Sequence, residues 1–412
     1  MRKRTVMRQL RLLGIALALA GAAALFSACD SLFGEYTNPL DHYAAETVWY
    51  RPAASVAGYG YDLRSDGFYP TQGSLLQIAA NPAAVSPDAD DALYMAYSVE
   101  SGGTFGPARF ETKTQSFTGP NAYVRDLVVD ADGNAYMVGF DLADDQQKIY
   151  AVDFTGESFT LINTVPRDMP WRVIPPDGGA TISPDGLEIT ISLPPEFAIY
   201  RYSMSAPGDT GGDWTVAAGT PGDQGGTTNG NGGAATDALL GGPFDLATAP
   251  DGSLFFVDTL IEILDQSNGN YSRSEETLRS IDPEGTLSGI SPFNELVGVT
   301  LPDVPSYING YVFEAPLAVD ATGNIYARYF SGLIRIEADS LVATQIGGND
   351  TQAPDYNEPL ADWSADTGPL AEFAREADLR HINDISVAEN GDVFVSQGGF
   401  GLLQGLRIVR LY

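Results

Sequence analysis

The chain has 412 residues, of which 44% are hydrophobic, enough apolar material for one large or two to three ordinary domains. Its 54 acidic residues outnumber 22 basic ones, and so anionic a surface repels nucleic-acid phosphate and acidic lipid headgroups. One cysteine and two histidines, His42 and His381, exclude disulfide scaffolds, cysteine-rich zinc sites and a catalytic zinc held by three histidines.

Residues 1–11 carry Arg2, Lys3, Arg4, Arg8 and Arg11 and no acid, Leu12 to Phe26 is an apolar run, and Ser27-Ala28 stands directly before Cys29. This order is that of a secretory signal peptide over 1–28, since a run this short falls below a membrane span. The segment resembles the lipobox of bacterial lipoproteins, with Phe26 where Leu is usual. The resemblance implies acylation of Cys29 and a lipid anchor in the bacterial cell envelope. An ordinary secreted chain with an incidental cysteine is the other reading. With an anchor, 29–43 is a tether and 44–412 the folded body. Glu46 to Tyr61 then reads as a strand without a hairpin partner.

Six segments share one pattern: 84–98, 127–140, 180–193, 246–259, 317–330 and 385–397. Each reads as an alternating strand, a turn of Asp-Gly, Asn-Gly or Thr-Gly type, and a second strand rich in Tyr, Phe and Val; the first has Ala89 in place of the turn glycine. A third strand follows each pair, at 108–112, 148–153, 198–204, 278–282, 333–338 and 406–412. The turns recur at steps of about 44 to 71 residues, against about 40 to 45 for a four-stranded propeller blade, so the later repeats carry loop insertions. The segment Pro207 to Pro243 holds twelve glycines and reads as a surface loop. The expected fold is all-β, a six-bladed β-propeller of four-stranded antiparallel blades. The chain ends inside its sixth repeat, so Glu46 to Tyr61 is expected to supply the outer strand of the last blade; an N-terminal arm is the alternative.

The run TVAAGTPGDQGGTTNGNGGAATDALLGGPFDLATAPDGSLFFVDT (215–259), followed by LRSIDPEGTLSGI, resembles an NHL repeat. The stretch from Ile346 to Gln397 is similar, and the other repeats fit more loosely. The resemblance implies a propeller but no particular function.

Counting six residues back from each turn Asp or its equivalent gives Asp126, Asp245 and Asp384, with Pro82, Gly179 and Pro316 in the other blades. Carboxylates starting inner strands converge on one rim, where Asp126, Asp245 and Asp384, with the carbonyl of Asn383, suit a hard divalent cation such as Ca2+. Each Asp capping its own turn is the other reading. Arg125, Arg172, Arg380 and His381 lie near the same rim and suit a small anionic ligand, or else offset the aspartates. Trp171 and Phe244 there form an apolar floor or inter-blade packing. Asp130-x-Asp132-Gly133-Asn134 lacks the register of an EF-hand and reads as a hairpin turn. Asn383-Asp384 after Arg380, and Asp126 in RDLVVDADGNAYMV, resemble gluconolactonase and senescence-marker propellers, which implies a metal-dependent lactone hydrolase. The Glu-Gly-Pro of that family is missing. The expectation is a monomeric, envelope-anchored binding or interaction module that takes a protein or small ligand and no nucleic acid. A metal-dependent hydrolase or lyase is the competing class.

Overall fold

Strands in this chain are written by alternation, and their ends by Asp, Asn and Gly. β1 (Ala45–Arg51) is followed by a short hairpin of β2 (Asp62–Arg64) and β3 (Gly67–Tyr69). The first sheet comprises β4 (Gln77–Ala80), β5 (Leu93–Ser101), β6 (Thr104–Glu111) and β7 (Ser116–Thr118). The second comprises β8 (Ala122–Val129), β9 (Ala135–Asp141), β10 (Gln146–Asp153) and β11 (Ser158–Thr164). In the third are β12 (Ala180–Ile182), β13 (Glu188–Leu193), β14 (Ala198–Ser203) and β15 (Asp213–Ala218). The fourth holds β16 (Pro243–Thr248), β17 (Leu254–Asp265), β18 (Asn270–Ile281) and β19 (Leu287–Pro292). The fifth holds β20 (Leu317–Val319), β21 (Ile325–Tyr329), β22 (Gly332–Ile336) and β23 (Ala343–Gly347). The sixth gathers β24 (Gly368–Ala371), β25 (Ile382–Val387), β26 (Val393–Gly398) and β27 (Leu406–Leu411) in the order β24-β1-β27-β26-β25.

This is a computed structural model, and it describes residues 44–412 apart from 52–61, 65–66, 70–75, 87, 102–103, 142, 145, 166–178, 266–269, 293–315, 330–331, 339, 341–342, 349–367, 372–376, 378, 380–381 and 399–405. The chain divides into Met1–His42 and Tyr43–Tyr412; the leader, Cys29 and tether lie outside the described residues.

The core is divided into wedges. One apolar cluster lies between blades 1 and 2 (Phe110, Phe117, Met137, Phe154) and one between blades 2 and 3 (Ile149, Ile189, Tyr202). Others join blades 3 and 4 (Ile199, Phe256), 4 and 5 (Leu278, Ile334) and 5 and 6 (Leu333, Val395). The last joins blade 6 back to blade 1, with Phe394 and Ile408 against Met95 and Tyr97. Six sheets sharing six wedges in a cycle make a closed six-bladed β-propeller. Inner and middle strands such as β8 and β9 are buried along nearly their whole length, whereas the outer strand β11 leaves Phe159 and Leu161 exposed.

Closure uses an N-terminal strand, over Ala45–Arg51 of the expected 46–61; residues 52–61 lie outside the described residues. β1 pairs antiparallel with β27 from Ala45↔Leu411 to Arg51↔Leu406. Backbone bonds between Ala44 and Tyr412 (3.1 and 3.2 Å) finish the zipper. The last blade differs from the expected four strands, because β24 adds a fifth outside β1 (Glu46↔Pro369) and covers an edge that would otherwise stay open.

Two sequence expectations are corrected. The first inner strand is β4, not the segment beginning at Ala84; 81–92 is its connection to β5, with Val85 fully out in solvent at 96% exposure. Pro207 to Pro243 is more than a surface loop. It contains β15, and Ala235, Ala238 and Leu240 are buried between blades 3 and 4. The turns behave as read: Gly133, Gly186, Gly252, Gly323 and Gly391 all have φ between 71° and 90°.

Candidate functional site

The first strand of each blade lines the axis, around a cavity of about 250 Å3. The register of each inner pair fixes equivalent positions. Three residues before the last paired residue stand Gln77, Asp126, Gly179, Asp245, Pro316 and Asp384. Blade 1 thus presents Gln77 where counting from the turn gave Pro82, an error produced by its longer connection. Carboxylates occupy every second blade.

Asp126 and Asp384 are used in the same way. Asp126 Oδ1 accepts from the next amide, Leu127 N, at 2.7 Å, while Oδ2 accepts from Ala180 N of blade 3 at 2.5 Å. Asp384 Oδ1 accepts from Ile385 N and Oδ2 from Ile78 N of blade 1, both at 2.7 Å. Each carboxylate therefore caps its own strand start and also tethers the following blade. A β-bulge just before each Asp, at Arg125 and Asn383, aims it sideways. In blade 4 the bulge falls on Asp245 itself, whose φ of 35° is left-handed.

Burial pushes the Asp126 carboxyl up to about 7, against the lowering pull of the two amides and of Arg125. Asp384 is raised well above the ordinary carboxylate range, first by burial and then by the charge of Asp126, with Asp245 adding to it. These effects bring the three aspartates into one electrostatic site. Among the described residues no group of three His, Cys, Asp or Glu side chains is arranged to hold a metal ion. A cation there would compete with backbone amides for Asp126 and Asp384.

Arg125 is buried at 5% exposure, lines the cavity wall and donates to the Ser192 carbonyl of blade 3 at 2.7 Å. Arg172, Arg380, His381 and Trp171 lie outside the described residues. Asn383 lines the cavity, and its Nδ2 has no hydrogen-bond partner among the described residues. Phe244 is buried in the cavity wall. Asp130 is consumed by its turn, accepting from Asp132 N, Asn134 N and Asn134 Nδ2 at 2.8 to 3.0 Å, as the hairpin reading requires.

Sequence reasoning missed Gln77 and the serines that stitch blades. Ser386 Oγ accepts from Ala80 N at 2.8 Å and Ser396 Oγ donates to Leu76 O at 2.6 Å, both across the ring closure. Ser98 Oγ likewise accepts from Val124 N at 2.7 Å. Serine in a strand has no motif, and only knowing which blade lies alongside would have singled these out.

No family model matches the chain, and no curated protein matches it. Solved structures are similar in fold. A structural genomics protein of unknown function from Bacteroides thetaiotaomicron is 13% identical over 90% of this chain and 76% of its own, with a TM-score of 0.49. The Penicillium chrysogenum alpha-L-arabinanase solved with arabinobiose is 12% identical over 89% of this chain and 98% of its own, TM-score 0.49. A Xanthomonas campestris gluconolactonase is 13% identical over 90% and 97%, TM-score 0.40.

Proposed function

We propose that the chain is a binding module that takes a small polar ligand in the axial cavity, presented at a bacterial envelope by a lipid on Cys29. The observation that carries this is the cavity itself: all six blades line it, and its polar groups include Gln77, Arg125, Thr181, Asp245 and Asn383 beside the tethered Asp126 and Asp384. A rigid ring with a polar axial pocket is a common seat for a ligand. The described lining residues carry three acidic side chains and one arginine, which offer a polar ligand both hydrogen-bond acceptors and donors. The cysteine supports the envelope reading by its place after a basic and apolar leader.

A hydrolase or lyase of the gluconolactonase-like type is the second reading. The near-neutral Asp126 favours it, since a carboxyl poised near 7 is suited to general acid and base work. The hydrogen bonds that its two oxygens accept from backbone amides favour binding instead.

A thermal-shift panel of sugars, amino acids, polyamines and the chlorides of Ca2+, Mg2+ and Mn2+ separates the two. The binding reading expects an organic probe to raise the midpoint and Thr181→Val with Asn383→Leu to abolish the shift. A shift by divalent cations alone, lost in Asp126→Asn, would favour the hydrolase. In the producing bacterium, Cys29→Ala is expected to move the protein out of the membrane fraction; retention there would remove the anchor.

A further inference from the structure

We infer that the chain has a second ligand site, a cleft at the end of blade 2 walled by blade 3, and that it takes a neutral saccharide unit. The cleft shares no lining residue with the axial cavity, so it stands apart from the function proposed above.

Strand register makes the hollow. Tyr136 on β9 and Thr160 on β11 both lie directly opposite Ala151 on β10, so the three side chains form one row on the same face of the sheet. Tyr136 and Ala151 both pack in the apolar wedge shared with blade 3, which places that row on the face toward blade 3. Ala151 is the smallest of the three and leaves a gap between a tyrosine and a threonine. Asp153, two residues further along β10 and therefore on the same face, stands opposite Ser158. Pro207 and Gly208, between β14 and β15 of blade 3, line the same cleft, which encloses about 320 Å3. Tyr94 of blade 1 and Phe154 line it as well, and their rings are stacked at 4.1 Å with 4° between the planes.

The wall alternates polar groups and carbon surfaces, as a sugar ring does. Asn134, Thr155, Ser158 and Thr160 offer uncharged donors and acceptors. Asp153 is the one charged side chain in the lining. Its Oδ1 accepts from Gly156 N at 2.8 Å, which aims the carboxylate and leaves Oδ2 for a ligand hydroxyl, a charge-assisted bond. Asn134 Nδ2 donates to Asp130 Oδ2 at 2.8 Å, which fixes the amide and leaves its carbonyl oxygen to accept. The Tyr94 hydroxyl accepts from Asn81 Nδ2 at 3.0 Å and keeps its own proton to donate. Burial, followed by the charges of Asp91 and Asp153, pushes that phenol up, so it remains a donor at neutral pH. The aromatic rings and Pro207 supply carbon surface for the C–H face of a sugar. An anion would meet Asp153 with no lining cation to offset it, and a cation would find a single carboxylate already engaged by its own turn.

The test is calorimetric titration of the full chain with glucose, galactose, mannose, xylose and N-acetylglucosamine, and with choline as a cationic probe. The proteins are the wild type, Ala151→Leu, Asp153→Asn, Thr160→Val and the axial pair Thr181→Val with Asn383→Leu. The wild type and the axial pair are expected to bind at least one sugar equally, with a dissociation constant of about 1 mM or tighter. Ala151→Leu, which fills the hollow, should abolish binding, and Asp153→Asn and Thr160→Val should each weaken it by about tenfold. These last two side chains are exposed, so they decide the matter if Ala151→Leu does not fold. No sugar binding to the wild type, or equal binding in every variant, overturns the site. Loss confined to the axial pair overturns it too, while the axial reading stands. Choline binding without sugar binding overturns the saccharide assignment.

Discussion

At Gly179 the ring position that carries an aspartate in alternate blades carries no side chain at all. A Cβ there would lie 2.7 Å from Leu246 N and 2.8 Å from Asp245 Cα, both backbone atoms of blade 4. Backbone cannot swing aside as a side chain can, so blades 3 and 4 would have to separate. The left-handed φ of Asp245 belongs to the same close approach. Gly179→Ala is expected to cost about 1–3 kcal/mol of stability, as overpacking does. Gly211→Ala, where the added carbon meets only Asp209 Oδ1 at 3.4 Å, should change little, and urea unfolding of both variants checks the contrast. How much of this was legible in the sequence depended on distance along the chain. Counting back from the turns put Asp126, Asp245 and Asp384 at one level, because turn and strand start share a short rigid hairpin. Which amide each carboxylate takes was not legible, since Ala180 and Ile78 belong to other blades.

At the scale of the element, the glycine-rich segment between β15 and β16 is held by a buried ion pair. Arg279 Nη1 donates to Asp258 Oδ2 at 2.8 Å, with both side chains at 0% exposure. Asp258 Oδ1 accepts from Gly241 N and Gly242 N, and Arg279 Nη2 donates to Asn229 O and Asn231 Oδ1. The pair thus grips the segment at two places. Burial lifts the Asp258 carboxyl above its ordinary range even with Arg279 and both amides pulling it down. Removing one partner leaves a buried charge alone, so Asp258→Ala is expected to cost about 3–5 kcal/mol. Limited proteolysis should then cut within 219–242 before the rest of the chain. Wild-type resistance in that variant would show that the segment is held by Ala235, Ala238 and Leu240 alone. Composition marked 207–243 as a surface loop, and missed both β15 and the burial of Ala235, Ala238 and Leu240. Glycine content reports conformational freedom, and here that freedom lets the chain pass close: Gly225 packs against Leu239 O with no room for a side chain.

For the whole molecule the question is what keeps six wedges from opening at the junction where the chain begins and ends. Six repeats were legible because alternation and turn signals recur in each; β24 was not, since Gly-Pro-Leu-Ala has no strand pattern and pairs only because β1 offers an edge. Two mechanisms act at the closure. One is the strand zipper of β1 between β27 and β24, with Ala45 and Val48 in two of the apolar wedges. The other is Arg410, which reaches Asp392 at 2.6 Å, Asp88 at 2.7 Å and Glu46 at 3.3 Å. Magnitude separates them. Partly exposed ion pairs contribute about 0–1 kcal/mol each and weaken in salt. Losing β1 exposes two strand edges and parts of two wedges, a loss of many backbone bonds at once. Glu46→Gln, or salt near about 1 M, is therefore expected to lower stability by less than about 1 kcal/mol. Deletion of 44–51 should lower the unfolding midpoint steeply and make the protein associate through the bared edge of β27, seen as concentration-dependent mass in light scattering. A deletion variant that stays monomeric with an unchanged midpoint would mean that the serine stitches and the Asp384 tether close the ring without the strand.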